Sequence, residues 1–160
     1  MEFKVIRKKV DEKKPRGLRN HNPLNIRDNA HSTWLGQAGN DGSFCYFLDD
    51  EWGYRAAFRL LRNYYKKYRL QTIQEMITRW APPTDGNNTD AYIKKVANMM
   101  GVERDFKVGR LFGNYDDFDQ YMCEQMVYAM AIVENGEAAR EYIDKSKITR
   151  GYELAFPYER

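Results

Sequence analysis

A glutamate closes the most apolar run of the chain. Residues 126 to 133 read MVYAMAIV, and Glu134, Asn135 and Gly136 follow directly. A helix that is apolar on every side is a buried helix, and its C-terminus carries partial negative charge that disfavours a carboxylate. Apolar surroundings also raise a carboxyl pKa. An acid that keeps its proton toward neutral pH has what a general acid needs. The plainer alternative is a helix that frays at Glu134 and leaves the side chain in solvent. Glu51 is the second candidate acid. It follows Asp49 and Asp50 at the start of another helix, where dipole and capping favour acids in any case. Ordinary helix entry therefore competes with a carboxylate placed at the junction of two lobes.

A second group of residues could bind a polar polymer. The stretch RGLRNHNPLNIR, residues 16 to 27, crowds amide side chains around a proline. Asn is a poor helix and strand former and a good turn former. Such a loop hydrogen-bonds either to itself or to sugar hydroxyls and N-acetyl groups. Arg16, Asn20, Asn22 and Asn25 are the candidates here, with Trp34 and Tyr46 as aromatic neighbours and Asn88 of the DGNNT loop as a further polar group. Trp52 and Trp80 suit a helical core. His21 and His31 lie in polar loops without the partners of a nucleophilic triad. No Gly-rich phosphate loop is present. Cys45 and Cys123 stand in apolar contexts and are expected to be buried free thiols. Neither has a spaced metal-ligand partner, so no metal and no cofactor are expected.

Composition limits the partners. The chain has 160 residues, 42% of them apolar and 14% aromatic, with twelve tyrosines. That suffices for one domain with a real core. Net charge is +3, and the first nineteen residues hold five lysines and three arginines against three acids. Residues 1 to 15 are expected to form a basic arm with a short edge strand at Glu2 to Val5, and residues 16 to 160 the domain. A modest positive charge suits an anionic partner without choosing one; nucleic acid is not favoured by so small an arm. No apolar run has the length of a membrane span. The opening residues lack an apolar core and a small-residue cleavage site, so no signal peptide is expected.

The elements that would position these groups follow from periodicity. Short strand-like runs LNIR, TWLGQ and SFCYFL, separated by Asn, Asp and Gly, predict a small β lobe over residues 24 to 49, with GNDG at 39 to 42 as its hairpin. Tyr54, Phe58, Leu61, Tyr65 and Tyr68 trace one face of a helix over 51 to 69, capped by Asp49 or Asp50. TIQE at 72 to 75 is a capping box, and that helix runs to Trp80 before Pro82 and Pro83. A third helix over 89 to 100 carries Tyr92, Val96 and Met99, with Thr89 as its cap, and ends at Gly101. The fourth begins near Asp116, presents Phe118, Met122, Met126, Ala129 and Val133, and ends at Glu134, with Gly136 suited to a left-handed cap. Short helical pieces are expected at 137 to 142 and 146 to 155. The fold class is α+β and mainly helical.

Several stretches, in order, resemble a family of phage and prophage proteins. They are RGLRNHNPLNIR, TWLGQ, FLDDEWGYRAAFRLLRNYYKKY, TIQEMITRWAPPTDGNNTDAYIKKVANMMGV, AMAIVENG and ITRGYELA. The resemblance spans Arg16 to Ala155. Members are usually labelled virion structural proteins with a lysozyme-like fold. This chain departs in carrying Leu24 where glycine is common, which argues against a positive-φ turn at that residue. The segment from Asn22 to Gly36 is also similar to one in cell-wall glucosaminidases and lytic transglycosylases, where it follows a helix ending in Glu-Ser-Gly whose Glu is catalytic. Here the Glu-Asn-Gly closes the last long helix instead, the pattern of a circularly permuted chain. The resemblance implies a peptidoglycan-cleaving glycosidase acting on the β-1,4 glycan, with Glu134 as acid and Glu51 or Asp50 as partner if the enzyme is a hydrolase. It equally implies the alternative of a non-catalytic virion or cell-wall-binding protein. Expected partners are glycan strands and other virion proteins. Expected placement is synthesis in the bacterial cytoplasm, then virion association or release to the wall.

Overall fold

A computed structural model describes residues 13 to 158. The expected edge strand at Glu2 to Val5, and all but the last residues of the expected basic arm, lie outside them. Among the described residues the chain is mainly helical with one small antiparallel sheet, the α+β class read from the sequence. In order the elements are α1 (Arg16–Arg19), β1 (Gln37–Asn40), β2 (Cys45–Phe47), α2 (Asp50–Tyr68), α3 (Ile73–Trp80), α4 (Thr89–Met100), α5 (Asp117–Asn135) and α6 (Lys145–Ala155). Three 3₁₀ turns cover Pro83–Asp85, Gly109–Leu111 and Glu137–Tyr142.

Caps set the helix starts. Asp49 accepts the Asp50 amide ahead of α2. Thr72 and Glu75 form the reciprocal capping box of α3, and Asp116 accepts from Phe118 and Asp119 ahead of α5. Each satisfies amides that a helix start leaves unpaired. Ahead of α4 the expected cap is corrected by one residue. Asn88 accepts the Ala91 amide, while Thr89 is buried and its hydroxyl donates to the Ala81 carbonyl at 2.5 Å. That bond ties α4 to the end of α3.

The core forms where α2, α5 and α6 meet. Tyr54, Phe58 and Leu61 of α2 are fully buried, as are Met126, Ala129 and Met130 of α5 and Tyr152 of α6. Phe58 meets Tyr152 edge to face at 5.1 Å, and Tyr152 meets Phe156 at 4.9 Å. The stripes run out of core at their ends. Tyr68 is exposed at the C-terminus of α2, and Phe118 at the N-terminus of α5. Cys45 and Cys123 are buried free thiols, as expected.

The β lobe is smaller than its sequence suggests. TWLGQ contributes a turn at Trp34 to Gly36 and only its last residue, Gln37, to strand β1, and LNIR contributes a single bridge, Arg27 with Phe44. Residues 16 to 19 make a helical turn where only loop was expected. The sheet is β1 paired with β2, bulged between Gln37 and Gly39. What shapes the lobe is a buried amide. Asn22 is fully buried; its Nδ2 donates to the carbonyls of Ile26 and Cys45, each at 2.9 Å, and its Oδ1 accepts the Ile26 amide at 2.9 Å. It thereby mimics a strand between the loop and β2. The left-handed residues of this loop are His21 (φ 50°) and Asn25 (φ 52°), not Leu24, which is buried at 1% exposure.

An Asn22→Ala substitution removes all three bonds and strands the buried Ile26 amide, while the Ile26 carbonyl keeps the Cys45 amide at 3.0 Å. At roughly 1 kcal/mol per bond, with more for stranded groups, the expected loss is about 3 kcal/mol, a fall in Tm of roughly 6–12 °C. Asn20→Ala, which removes an exposed contact to Asp41, should shift Tm far less. Equal shifts in calorimetry would show that Asn22 does not organise the lobe.

Candidate active site

Glu134 lies one residue from the end of α5, and the Asn-rich loop folds back onto it. Asn25 Nδ2 donates to Glu134 Oε1 at 3.2 Å and to the Glu134 carbonyl at 3.4 Å. From α4, the Tyr92 hydroxyl donates to Oε2 at 3.0 Å. Asn25 reaches the helix because its backbone is left-handed, a conformation Asn adopts at little cost. The loop can come this close because residue 17 is glycine. A Cβ there would stand 2.6 Å from Asn135 Oδ1 and 2.7 Å from Asn25 Oδ1. Asn135 completes the joint by donating to the Pro23 carbonyl at 2.7 Å and the Ala131 carbonyl at 2.9 Å. Gly136 has positive φ (92°) but ψ of 161°, so the expected left-handed cap is replaced by these side-chain bonds.

Burial pushes the Glu134 carboxyl above its ordinary range, and the bonds from Asn25 and Tyr92 offset part of that rise. Tyr92 is itself buried, and burial together with the neighbouring Glu134 charge drives its hydroxyl far above the usual tyrosine value. It therefore keeps its proton beyond the usual tyrosine range.

Two cavities open beside this carboxylate. One, of about 470 Å³, is walled by Arg27 and Trp34 from the loop and by Tyr64, Arg79 and Trp80 from α2 and α3. The other, of about 540 Å³, is walled by Asn88, Tyr92, Lys95 and Glu137. Glu134 and Asn87 line both, so the acid stands where the two meet. Each volume falls in the range of small-molecule sites.

The residues singled out in the sequence divide sharply. Asn25, Trp34 and Asn88 line the cavities with Glu134. The rest line neither. Asn22 is wholly occupied with the loop backbone. Arg16 Nε and Asn20 Nδ2 both bind Asp41 Oδ2, at 2.7 and 3.0 Å. Asp41 also accepts the Ser43 and Phe44 amides, and these donors hold its carboxyl far below the usual range. Tyr46 lies over Gly39 at the sheet surface. Glu51 sits in the first turn of α2, 3.8 Å from Arg150 of α6. The helix-entry alternative describes it. Nearby, Lys147 pairs with Asp49 and His21 with Asp50, so the cluster of His21, Asp49 and Asp50, whose ligand atoms lie within 4.8 Å of one another, is satisfied internally.

Sequence reasoning missed Tyr92, Arg27, Arg79 and Asp85, and it assigned Trp80 to the core. Trp80 is only partly buried and faces the cavity. Tyr92 carried a usable signal: a tyrosine on an apolar stripe needs a partner for its hydroxyl. With twelve tyrosines in the chain, that signal singles out none of them.

Among the described residues no helix is long and apolar enough to cross a membrane. No family model matches the chain. A curated protein does: Protein P5 of Pseudoalteromonas phage PM2 is 36% identical over 145 residues, which cover 88% of this chain and 82% of that protein. Identity at that level over nearly the full length of both chains makes the relationship plain: the chain belongs to the family of this phage protein.

Proposed function

We propose that this chain is a phage-associated peptidoglycan glycosidase, lysozyme-like in architecture and circularly permuted, with Glu134 as its general acid. The observation that carries the reading is the setting of that carboxyl. It is half-buried, its pKa is raised by desolvation, it is held by Asn25 and Tyr92, and it opens onto both halves of a cleft walled by aromatic and amide side chains. Protonated Glu134 would donate to the glycosidic oxygen as the bond breaks. Trp34, Tyr64 and Trp80 offer faces for sugar rings, and Asn87 and Asn88 offer amides to N-acetyl and hydroxyl groups. Glu51 lies outside the cavities, so the two-carboxylate hydrolase arrangement loses its expected partner. That favours the lytic transglycosylase route, in which a hydroxyl of the substrate attacks the anomeric carbon, gives its proton back to the Glu134 carboxylate and closes the ring. Relationship to a phage protein supports virion association, with other virion proteins as partners.

Glu134→Gln keeps the shape and removes the proton donor. The amide can place its oxygen toward Asn25 and its NH₂ toward the Tyr92 hydroxyl, which can accept as well as donate. General acid catalysis contributes roughly 10²–10⁴-fold, so lysis of a peptidoglycan suspension should fall by at least about 10². Wild-type lysis in the variant would end the role of Glu134. A wild-type chain inert toward every peptidoglycan would leave the non-catalytic virion protein as the reading. The same variant makes a stability prediction. The folded-state carboxyl titrates above the unfolded one, so ionising Glu134 costs stability as pH rises through the folded value. The Tm of Glu134→Gln minus that of wild type should be larger at pH 8 than at pH 4, and a constant difference in scanning calorimetry would contradict the raised pKa.

Tyr92→Phe removes a donor that favours the charged carboxylate, so the pKa of Glu134 should rise further. The basic limb of the pH–activity profile reports loss of the acid's proton, and it should move to higher pH in this variant. A lower rate with an unmoved limb would make Tyr92 a packing residue only.

A further inference from the structure

Two guanidinium groups line the cavity on the Trp34 side of Glu134. Each lies against an aromatic ring. Arg27 lies over the Phe44 ring at 4.9 Å, and Arg79 over Tyr68 at 3.5 Å and Tyr64 at 5.4 Å. A guanidinium lying over an aromatic ring is held without a carboxylate, and its N–H donors can meet a planar anion. Among the described residues neither has a carboxylate within 4.0 Å. Arg27 belongs to the loop wall and Arg79 to α3, so the two cations approach from opposite lobes. The acids of this cavity are Asp85, on the exposed Pro83–Asp85 turn, and Glu134 itself. The other cavity is different in charge. Its Lys95 is paired with Glu137, which Arg140 also binds, leaving no free cation there among the described residues.

We propose that the Arg27–Arg79 cavity is a subsite for a sugar carrying a carboxylate substituent, and that the opposite cavity takes a neutral sugar. The inference rests on the glycan-binding reading above and deepens it. It gives the cleft a direction. An anionic sugar is drawn to the two guanidiniums on one side of Glu134 and finds no unpaired cation among the described residues on the Glu137 side, so a strand that alternates neutral and carboxylated units binds in a single register. Stacking faces at Trp34 and Trp80 hold the ring, while the two guanidiniums read the substituent.

Binding can be measured without turnover in the Glu134→Gln chain by titration calorimetry at low salt. The probes are chitotetraose, which is neutral, and a peptidoglycan-derived tetrasaccharide with free lactyl carboxylates. The carboxylated ligand should bind about ten-fold or more tightly, as charged hydrogen bonds imply, and its advantage should shrink as salt rises. Adding Arg27→Gln and Arg79→Gln should erase that advantage and leave chitotetraose within about two-fold. Both side chains are exposed, so these substitutions spare the core; a thermal melt verifies it. Equal affinity for the two ligands, or a preference that survives in the double variant, overturns the subsite while leaving the glycan reading in place. Binding of neither ligand removes the glycan reading and the subsite together.

Discussion

The joint between the N-terminal loop and the end of α5 is the contact on which the cleft depends. A helix ends with carbonyls that have no partner inside it. Here one of them, the Glu134 carbonyl, is closed from far away in sequence. Asn135 Nδ2 bridges Ala131 O, in its own helix, to Pro23 O, and Asn25 Nδ2 takes the Glu134 carbonyl together with its carboxylate. Both amide orientations are dictated, because each Nδ2 faces only acceptors. The consequence is that Asn25 Oδ1 and Asn135 Oδ1 are buried without partners and press against the Cα side of Gly17. Each stranded acceptor costs about 1–3 kcal/mol. A fold that tolerates two of them at one point is holding a geometry there, and what that geometry holds is Glu134. The same constraint recurs on the other flank of the loop, where a Cβ on Gly53 of α2 would stand 2.4 Å from the His21 carbonyl. Glycines in two helices thus let one loop sit between them.

Charge is arranged around this joint in two separate systems. On the far side of the loop, Arg16, Asn20 and Asp41 lock the hairpin turn, and Asp49, Asp50 and Glu51 face Lys147, His21 and Arg150. Those acids have cations or amides against them. Glu134 has only neutral donors, so nothing supplies a full positive charge to offset its desolvation. That contrast separates it from the other acids of the α2 entrance more sharply than burial alone does. The acids of the α2 entrance are given ion-pair partners; this one is given an amide and a tyrosine hydroxyl.

The helices were legible because their signals are local. A capping box at Thr72, an Asp before α2 and a stripe from Tyr54 to Leu61 each act within a few residues, and each is found where the sequence puts it. The β lobe was less legible. Its shape rests on Asn22, whose three bonds run to Ile26 and Cys45, and an amide that imitates a strand leaves no alternating pattern to read. The candidate site divides in the same way. Glu134 stood out because an acid at the end of an all-apolar helix breaks a local rule. Asn25 and Asn22 lie three residues apart in one loop, and nothing in composition tells which will face the cleft; the positive φ of Asn25 decides it. Tyr92 and Glu134 are 42 positions apart, and Arg27 and Arg79 come from different lobes. Pairings of that kind are products of packing, not of spacing.

Asp85 bears on what reaction the cleft could run. It is the other carboxylate of the Trp34-side cavity, and it lies on a short exposed turn rather than on a packed helix. A nucleophilic carboxylate in a retaining glycosidase must be held about 5–5.5 Å from the acid, and a base that activates water in an inverting enzyme about 6.5–9.5 Å away. Either role requires fixed geometry, because a misplacement of an ångström at a reacting centre is expensive. Among the described residues no protein hydrogen bond or ion pair orients the Asp85 side chain, whereas Glu134 has Asn25 and Tyr92. Rigid support is thus given to one acid of the cleft and withheld from the other. On the glycosidase reading, that asymmetry suits a mechanism in which a single carboxyl moves the proton and the substrate brings its own nucleophile.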